Sequence, residues 1–90
     1  MIIISYDIKD DKLRTSFSKT LEALGASRLQ YSVFEARNSS RILGNLRFVI
    51  RNDFGPKFCM DDSVCIFHCD EDKTEKYGNS VHRDQDLLFF

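Results

Sequence analysis

The chain switches between two hydrophobic periods, and each switch marks an element. Residues 2–8, IIISYDI, are β-branched and aromatic and predict a buried strand. Strand side chains alternate, so Ile2, Ile4, Tyr6 and Ile8 share one face, while Ile3, Ser5 and Asp7 share the other. Both faces are partly apolar. One is therefore expected under helices and the other against a second subunit. KDDK follows, where Asp10 or Asp11 caps a helix and complements its dipole. Leu13, Phe17, Leu21 and Leu24 then recur at helical spacing, and Gly25 ends that helix.

Residues 28–36, RLQYSVFEA, return to strand formers and predict two short strands broken near Ser32. Asn38-Ser39-Ser40 supplies a second cap before the stripe Ile42, Leu46, Val49 and Ile50, and Gly55-Pro56 is expected to stop that helix. SVCIFHC predicts a strand within Asp62–Cys69, with Val64, Ile66 and His68 opposite Cys65, Phe67 and Cys69. A polar connector, EDKTEKYGNS, leads to DLLFF, which reads as a trailing strand. The expected fold is an α+β, ferredoxin-like βαββαβ sandwich with an additional short C-terminal strand. It forms one domain over residues 1–90, with 84–90 packing on a dimer mate or partner.

The net charge of −1 hides a division along the chain. Residues 1–27 are neutral, residues 28–57 carry six basic against two acidic side chains, and residues 58–90 carry three against eight. Five of the six central cations are arginines, whose planar fork suits phosphate, although a solvated helix face has the same composition. Arg47 and Arg51 stand at i and i+4 on the second helix. Cys65, His68 and Cys69 cluster, but inside an apolar run they read as small hydrophobes rather than as a metal site. The opening MIIISYDIKD is too short and too acidic for a secretory leader or membrane span, so a cytoplasmic location is expected.

IIISYDIKDDKLR and GASRLQYSVFEA together resemble the two signatures of the CRISPR-associated protein Two family. That family is the small partner in spacer acquisition, often described as an endoribonuclease. The matching residues are Tyr6-Asp7-Ile8, Asp10-Asp11-Lys12 with Arg14, then Gly25, Arg28, Gln30, Ser32 and Val33-Phe34. Members often carry a basic run after the first strand; here Leu13, Thr15 and Ser16 leave only Lys12 and Arg14. The resemblance implies a homodimer that bridges dimers of the CRISPR integrase and binds spacer-precursor DNA. It also implies a Mg²⁺-dependent endonuclease activity on RNA or DNA, with two Asp7 carboxylates meeting one ion on the twofold axis.

On that reading Asp7 is the metal ligand and, with Arg14 and Arg28, forms the catalytic group. Lys12, Arg14, Arg28, Arg47 and Arg51 bind nucleic acid. Other roles remain open: Asp7 as a turn cap, Arg28 as the partner of Glu35 or Asp7, and Tyr6 and Phe34 as core. No His or Lys stands at a suggestive distance from Asp7 as a general base; the nearest titratable groups in sequence are Lys9, Asp10 and Asp11, so cleavage would rest on metal-bound hydroxide. The alternative function is that of a toxin-type ribonuclease of the related virulence-associated family, which shares the fold.

Overall fold

The computed structural model describes residues 1–78. In chain order these form β1 (Ile2–Asp7), α1 (Asp11–Ala23), β2 (Ser27–Gln30), β3 (Val33–Ala36), α2 (Ser40–Val49) and β4 (Ser63–His68). The sheet runs β2-β3-β1-β4, and each neighbouring pair is antiparallel. Both helices pack on one side of it, as in a ferredoxin-like sandwich. The expected trailing strand and His82 lie outside the described residues. No helix among the described residues is long and apolar enough to cross a membrane.

The alternation along β1 decides where the core sits. Ile2, Ile4, Tyr6 and Ile8 are buried, whereas Ile3 and Ser5 are half-buried and Asp7 is exposed. Each fully buried isoleucine contributes about 1.5–3 kcal/mol through the area it removes from water. Phe17 and Leu21 of α1, Phe34 of β3 and Ile42 and Leu46 of α2 complete that core. Aromatic edges lock it. Phe17 stands edge-on to Tyr6 at 5.0 Å and to Phe54 at 4.9 Å.

The local signals account for most boundaries. Asp10, in extended backbone, accepts the Leu13 N–H at 2.8 Å and is the cap of α1. Gly25, at φ 102°, ends the helix, with the Ala26 N–H returning to the Leu21 carbonyl at 3.0 Å. Ser39 caps α2 through the Ile42 N–H. β2 and β3 are separate strands joined at Tyr31-Ser32, as the break near Ser32 predicts.

The second helix departs from expectation at its end. Gly55-Pro56 does not stop it; the chain widens into a π-turn, Ile50–Phe54, and continues as a 3₁₀ turn, Gly55–Lys57, before Phe58 becomes extended. Proline is accepted in the first turn of a new helical segment, where its missing N–H has no partner to lose. The π-turn brings the Ile50 carbonyl so close to Gly55 that an added Cβ would sit 2.7 Å from its oxygen. β4 also differs. It is an edge strand, with Cys65 and Phe67 exposed on the face away from the helices, so its thiols are not buried hydrophobes. Glu35, on the same open face, pairs with Lys76 at 2.6 Å.

Gly55 and Gly44 provide a paired test. Gly55→Ala is expected to destabilise by about 1–3 kcal/mol through backbone crowding, lowering the melting temperature by several degrees. Gly44→Ala, whose methyl meets open space on α2, is expected to be neutral or stabilising by up to about 1 kcal/mol. Thermal unfolding by circular dichroism reads both; equal melting temperatures would remove the crowding argument.

Candidate functional site

Asp7 is the last residue of β1 and projects from the open face, opposite Tyr6 in the core. Its side chain is 64% exposed, and both carboxylate oxygens accept from Lys9 Nζ, at 3.1 and 3.2 Å. A lysine thus stands beside Asp7 where none was expected. The Asp7 bond and charge raise the Lys9 pKa, which keeps the ammonium protonated. Lys9 is a counter-ion here, and a poor general base.

The turn after β1 is anchored on both sides. Arg14 donates to the Ile8 carbonyl at 3.0 Å and the Lys9 carbonyl at 3.4 Å, and pairs with Asp11. From the other direction Asp62, just before β4, accepts the Lys9 N–H through Oδ1 and the Cys59 N–H through Oδ2, each at 2.9 Å. Those backbone donors, Cys59 foremost, hold the Asp62 carboxyl below the usual carboxylate range. Asp10, not Asp7, performs the capping in this turn.

Arg28 lies on β2 with its guanidinium 4.8 Å over the Phe34 ring and donates to the Tyr31 carbonyl. Neither expected carboxylate is its partner, because Glu35 is taken by Lys76 and Asp7 by Lys9. Arg14 stands 5.7 Å from the centre of the Tyr31 ring. The two arginines therefore converge on the β2–β3 turn. Tyr6 is core beneath them, and burial raises its phenol above the ordinary value while Arg28 opposes the rise. Lys12 is exposed on the first turn of α1, and Arg47 and Arg51 are exposed along α2 and the π-turn.

The named residues thus form a string rather than one cluster. Lys9 bonds Asp7, Arg14 bonds the Lys9 carbonyl, and Arg14 and Arg28 meet at Tyr31. The sequence reading missed Lys9, Asp62 and Tyr31. The strand alternation that exposes Asp7 also points Lys9 the same way, so that signal was present.

Mg²⁺ takes about six oxygen ligands, several from water. Among the described residues no group of three or more His, Cys, Asp or Glu is gathered to hold a metal. Asp7 supplies two hard carboxylate oxygens at the end of β1, a donor type that suits magnesium but fewer ligands than the ion takes.

This fold and site define a small ferredoxin-like protein with one exposed carboxylate at the end of its central strand and arginines around the adjoining turns. Residues 1–77 match the family CRISPR associated protein Cas2. The chain belongs to that family. It is 39% identical over 79 residues to CRISPR-associated endoribonuclease Cas2 3 of Chloroflexus aurantiacus, covering 84% of this chain and 81% of the relative. It is 33% identical over 73 residues to CRISPR-associated endoribonuclease Cas2 of Korarchaeum cryptofilum, covering 79% and 74%. The crystal structure of the hypothetical protein TT1823 from Thermus thermophilus is similar at a TM-score of 0.70 and 30% identity, over 86% of this chain and 88% of that one.

The depressed Asp62 pKa makes its contribution pH-dependent. A carboxyl held low in the folded state stabilises above the unfolded-state pKa, and that stabilisation is lost as pH falls through the folded value. Asp62→Ala is expected to lower the melting temperature at about pH 7, with the gap to the parent closing toward about pH 2. A gap that stays constant over that range would mean that Asp62 acts through something other than its charge.

Proposed function

We propose that this chain is a nuclease subunit of the CRISPR adaptation system that works as a homodimer on nucleic acid. The observation that carries the proposal is the open sheet face. Ile3, Val33, Cys65 and Phe67 leave apolar surface there, with Phe67 52% exposed, and Asp7 stands at the end of the same strand face. A second copy of the chain is the occupant that both satisfies this surface and supplies the missing carboxylate.

In the dimer, Asp7 from each copy would hold one Mg²⁺, which would supply Lewis-acid stabilisation of a scissile phosphate and a more acidic water. The chain's own residues prepare that site. Lys9 neutralises Asp7 until the metal arrives, and Asp62 and Arg14 fix the backbone from which both project. Lys12, Arg14, Arg28, Arg47 and Arg51 contact the phosphate backbone. In adaptation the dimer bridges dimers of the CRISPR integrase and holds precursor DNA. The Cas2 membership supports this reading over a toxin-type ribonuclease, and its similarity to two CRISPR-associated endoribonucleases supports RNA cleavage.

Removing groups that merely support a metal ligand typically lowers activity about 10–100-fold. Asp7→Asn is therefore expected to reduce Mg²⁺-dependent cleavage of single-stranded RNA by at least about 100-fold, while fold and RNA binding persist. Cleavage unaffected by that change would remove Asp7 from the chemistry. Light scattering on a sizing column is expected to give twice the 10.5 kDa chain mass, and Phe67→Glu, outside the core, is expected to give a folded monomer. A parent protein that runs as a monomer would end the dimer proposal.

A further inference from the structure

The β2–β3 turn carries a side chain that neither the core nor the metal site uses. Tyr31 is 70% exposed, although aromatic rings are ordinarily among the first side chains withdrawn from water. Two of the other exposed rings have different surroundings. Phe67 lies on the open sheet face, and the Tyr77 hydroxyl is bonded to Glu75 at 2.5 Å. Tyr31 is held from both directions by arginines, with Arg28 bonded to its carbonyl and Arg14 5.7 Å from its ring centre.

That arrangement sets an exposed aromatic ring inside a positive field. The Arg14 guanidinium covers only part of the ring, which leaves most of it open to a ligand. Arg14 is itself immobilised by the Ile8 and Lys9 carbonyls, so the ring has a fixed neighbour rather than a mobile one. A guanidinium has five N–H donors, and the Tyr31 carbonyl occupies only part of the Arg28 fork. A flat ring flanked by phosphate-binding groups is the chemistry that recognises an unpaired nucleobase with its adjoining phosphates.

We propose that Tyr31 is a stacking platform for one unpaired base of a single-stranded nucleic acid, with Arg28 and Arg14 on the neighbouring phosphates. This deepens the nucleic-acid reading above and rests on it. It gives Tyr31 a role in that reading: a base inside a duplex is already stacked on both sides, so the ring takes an unpaired one. Stacking does not distinguish ribose from deoxyribose, so RNA and DNA single strands both qualify.

The test compares parent, Tyr31→Ala and Tyr31→Phe for binding to single-stranded oligonucleotides of about 12 residues, RNA and DNA, and to a blunt duplex of mixed sequence. Fluorescence anisotropy is the readout. Tyr31→Ala is expected to weaken single-strand binding about tenfold while shifting duplex binding by less than about twofold. Tyr31→Phe keeps the ring and is expected to bind as the parent does. The chain has three tyrosines and no tryptophan, so a stacked base is also expected to quench tyrosine emission in the parent and much less in Tyr31→Ala. Unchanged single-strand affinity in Tyr31→Ala, or equal losses for single strand and duplex, would overturn the stacking role alone. A parent that binds none of these nucleic acids would overturn the nucleic-acid reading together with it. Because Tyr31 lies outside the core, an unchanged melting curve is the expected control.

Discussion

β1 is hydrogen-bonded on both sides, to β3 and to β4, and that single fact governs the rest of the molecule. A strand held at both edges cannot rotate its side chains away, so each residue faces either the helices or the opposite surface. Burial of Ile2, Ile4, Tyr6 and Ile8 commits one parity to the core. The other parity delivers Ile3, Ser5 and Asp7 to the open face. A slip of one residue would bury Asp7 among aromatic rings, at the large cost of an unpaired charge in an apolar core. The position of the functional carboxylate is thus fixed by the hydrophobic core on the other side of the same strand.

What the strand leaves undecided, the charged turn after it decides. Asp62 binds the Lys9 N–H and Arg14 binds the Lys9 carbonyl, so one peptide segment is clamped by residues from two separate elements. Lys9 then reaches Asp7 from a fixed base. These groups are exposed and each bond is individually weak in water. Their joint effect is geometric, because the backbone that carries Asp7 has little freedom left. Accurate placement of a metal ligand depends on such supporting groups as much as on the ligand.

Legibility in the sequence followed the range of the interaction. The β1 parity, the α1 stripe with its Asp10 cap, and the β2–β3 break are settled within a few residues, and the sequence analysis placed them. Lys9 is equally local, two residues from Asp7, but its long flexible side chain can reach the carboxylate or extend into water, and sequence spacing does not choose between the two. Asp62 is different: it lies 53 residues from Lys9 and meets it only because Asp7 pairs with Ser63 across the sheet. No local pattern encodes that register. The exposure of Cys65 and Phe67 has the same origin, since alternation tells which residues share a face but not which strand stands at the edge. At Gly55-Pro56 two rules competed. The rule that glycine followed by proline ends a helix lost to the acceptance of proline in a fresh turn, and the π-turn that made room for it left a backbone contact only glycine tolerates.

The same exposure that makes the surface ion pairs weak makes them exchangeable, and this connects the two ends of the site. Asp11, largely exposed, holds one edge of the Arg14 fork, and Lys9 holds Asp7 in an equally open setting. Water screens both pairs, so each is readily exchanged for a stronger partner. The carbonyl bonds of Arg14 are independent of that exchange and keep the guanidinium where it is. A strand arriving at Tyr31 and Arg14 therefore finds its partners already positioned, with only exposed side-chain ion pairs to replace. Because the Lys9 carbonyl is one of the groups that Arg14 holds, the turn after β1 and the β2–β3 turn are linked through one guanidinium.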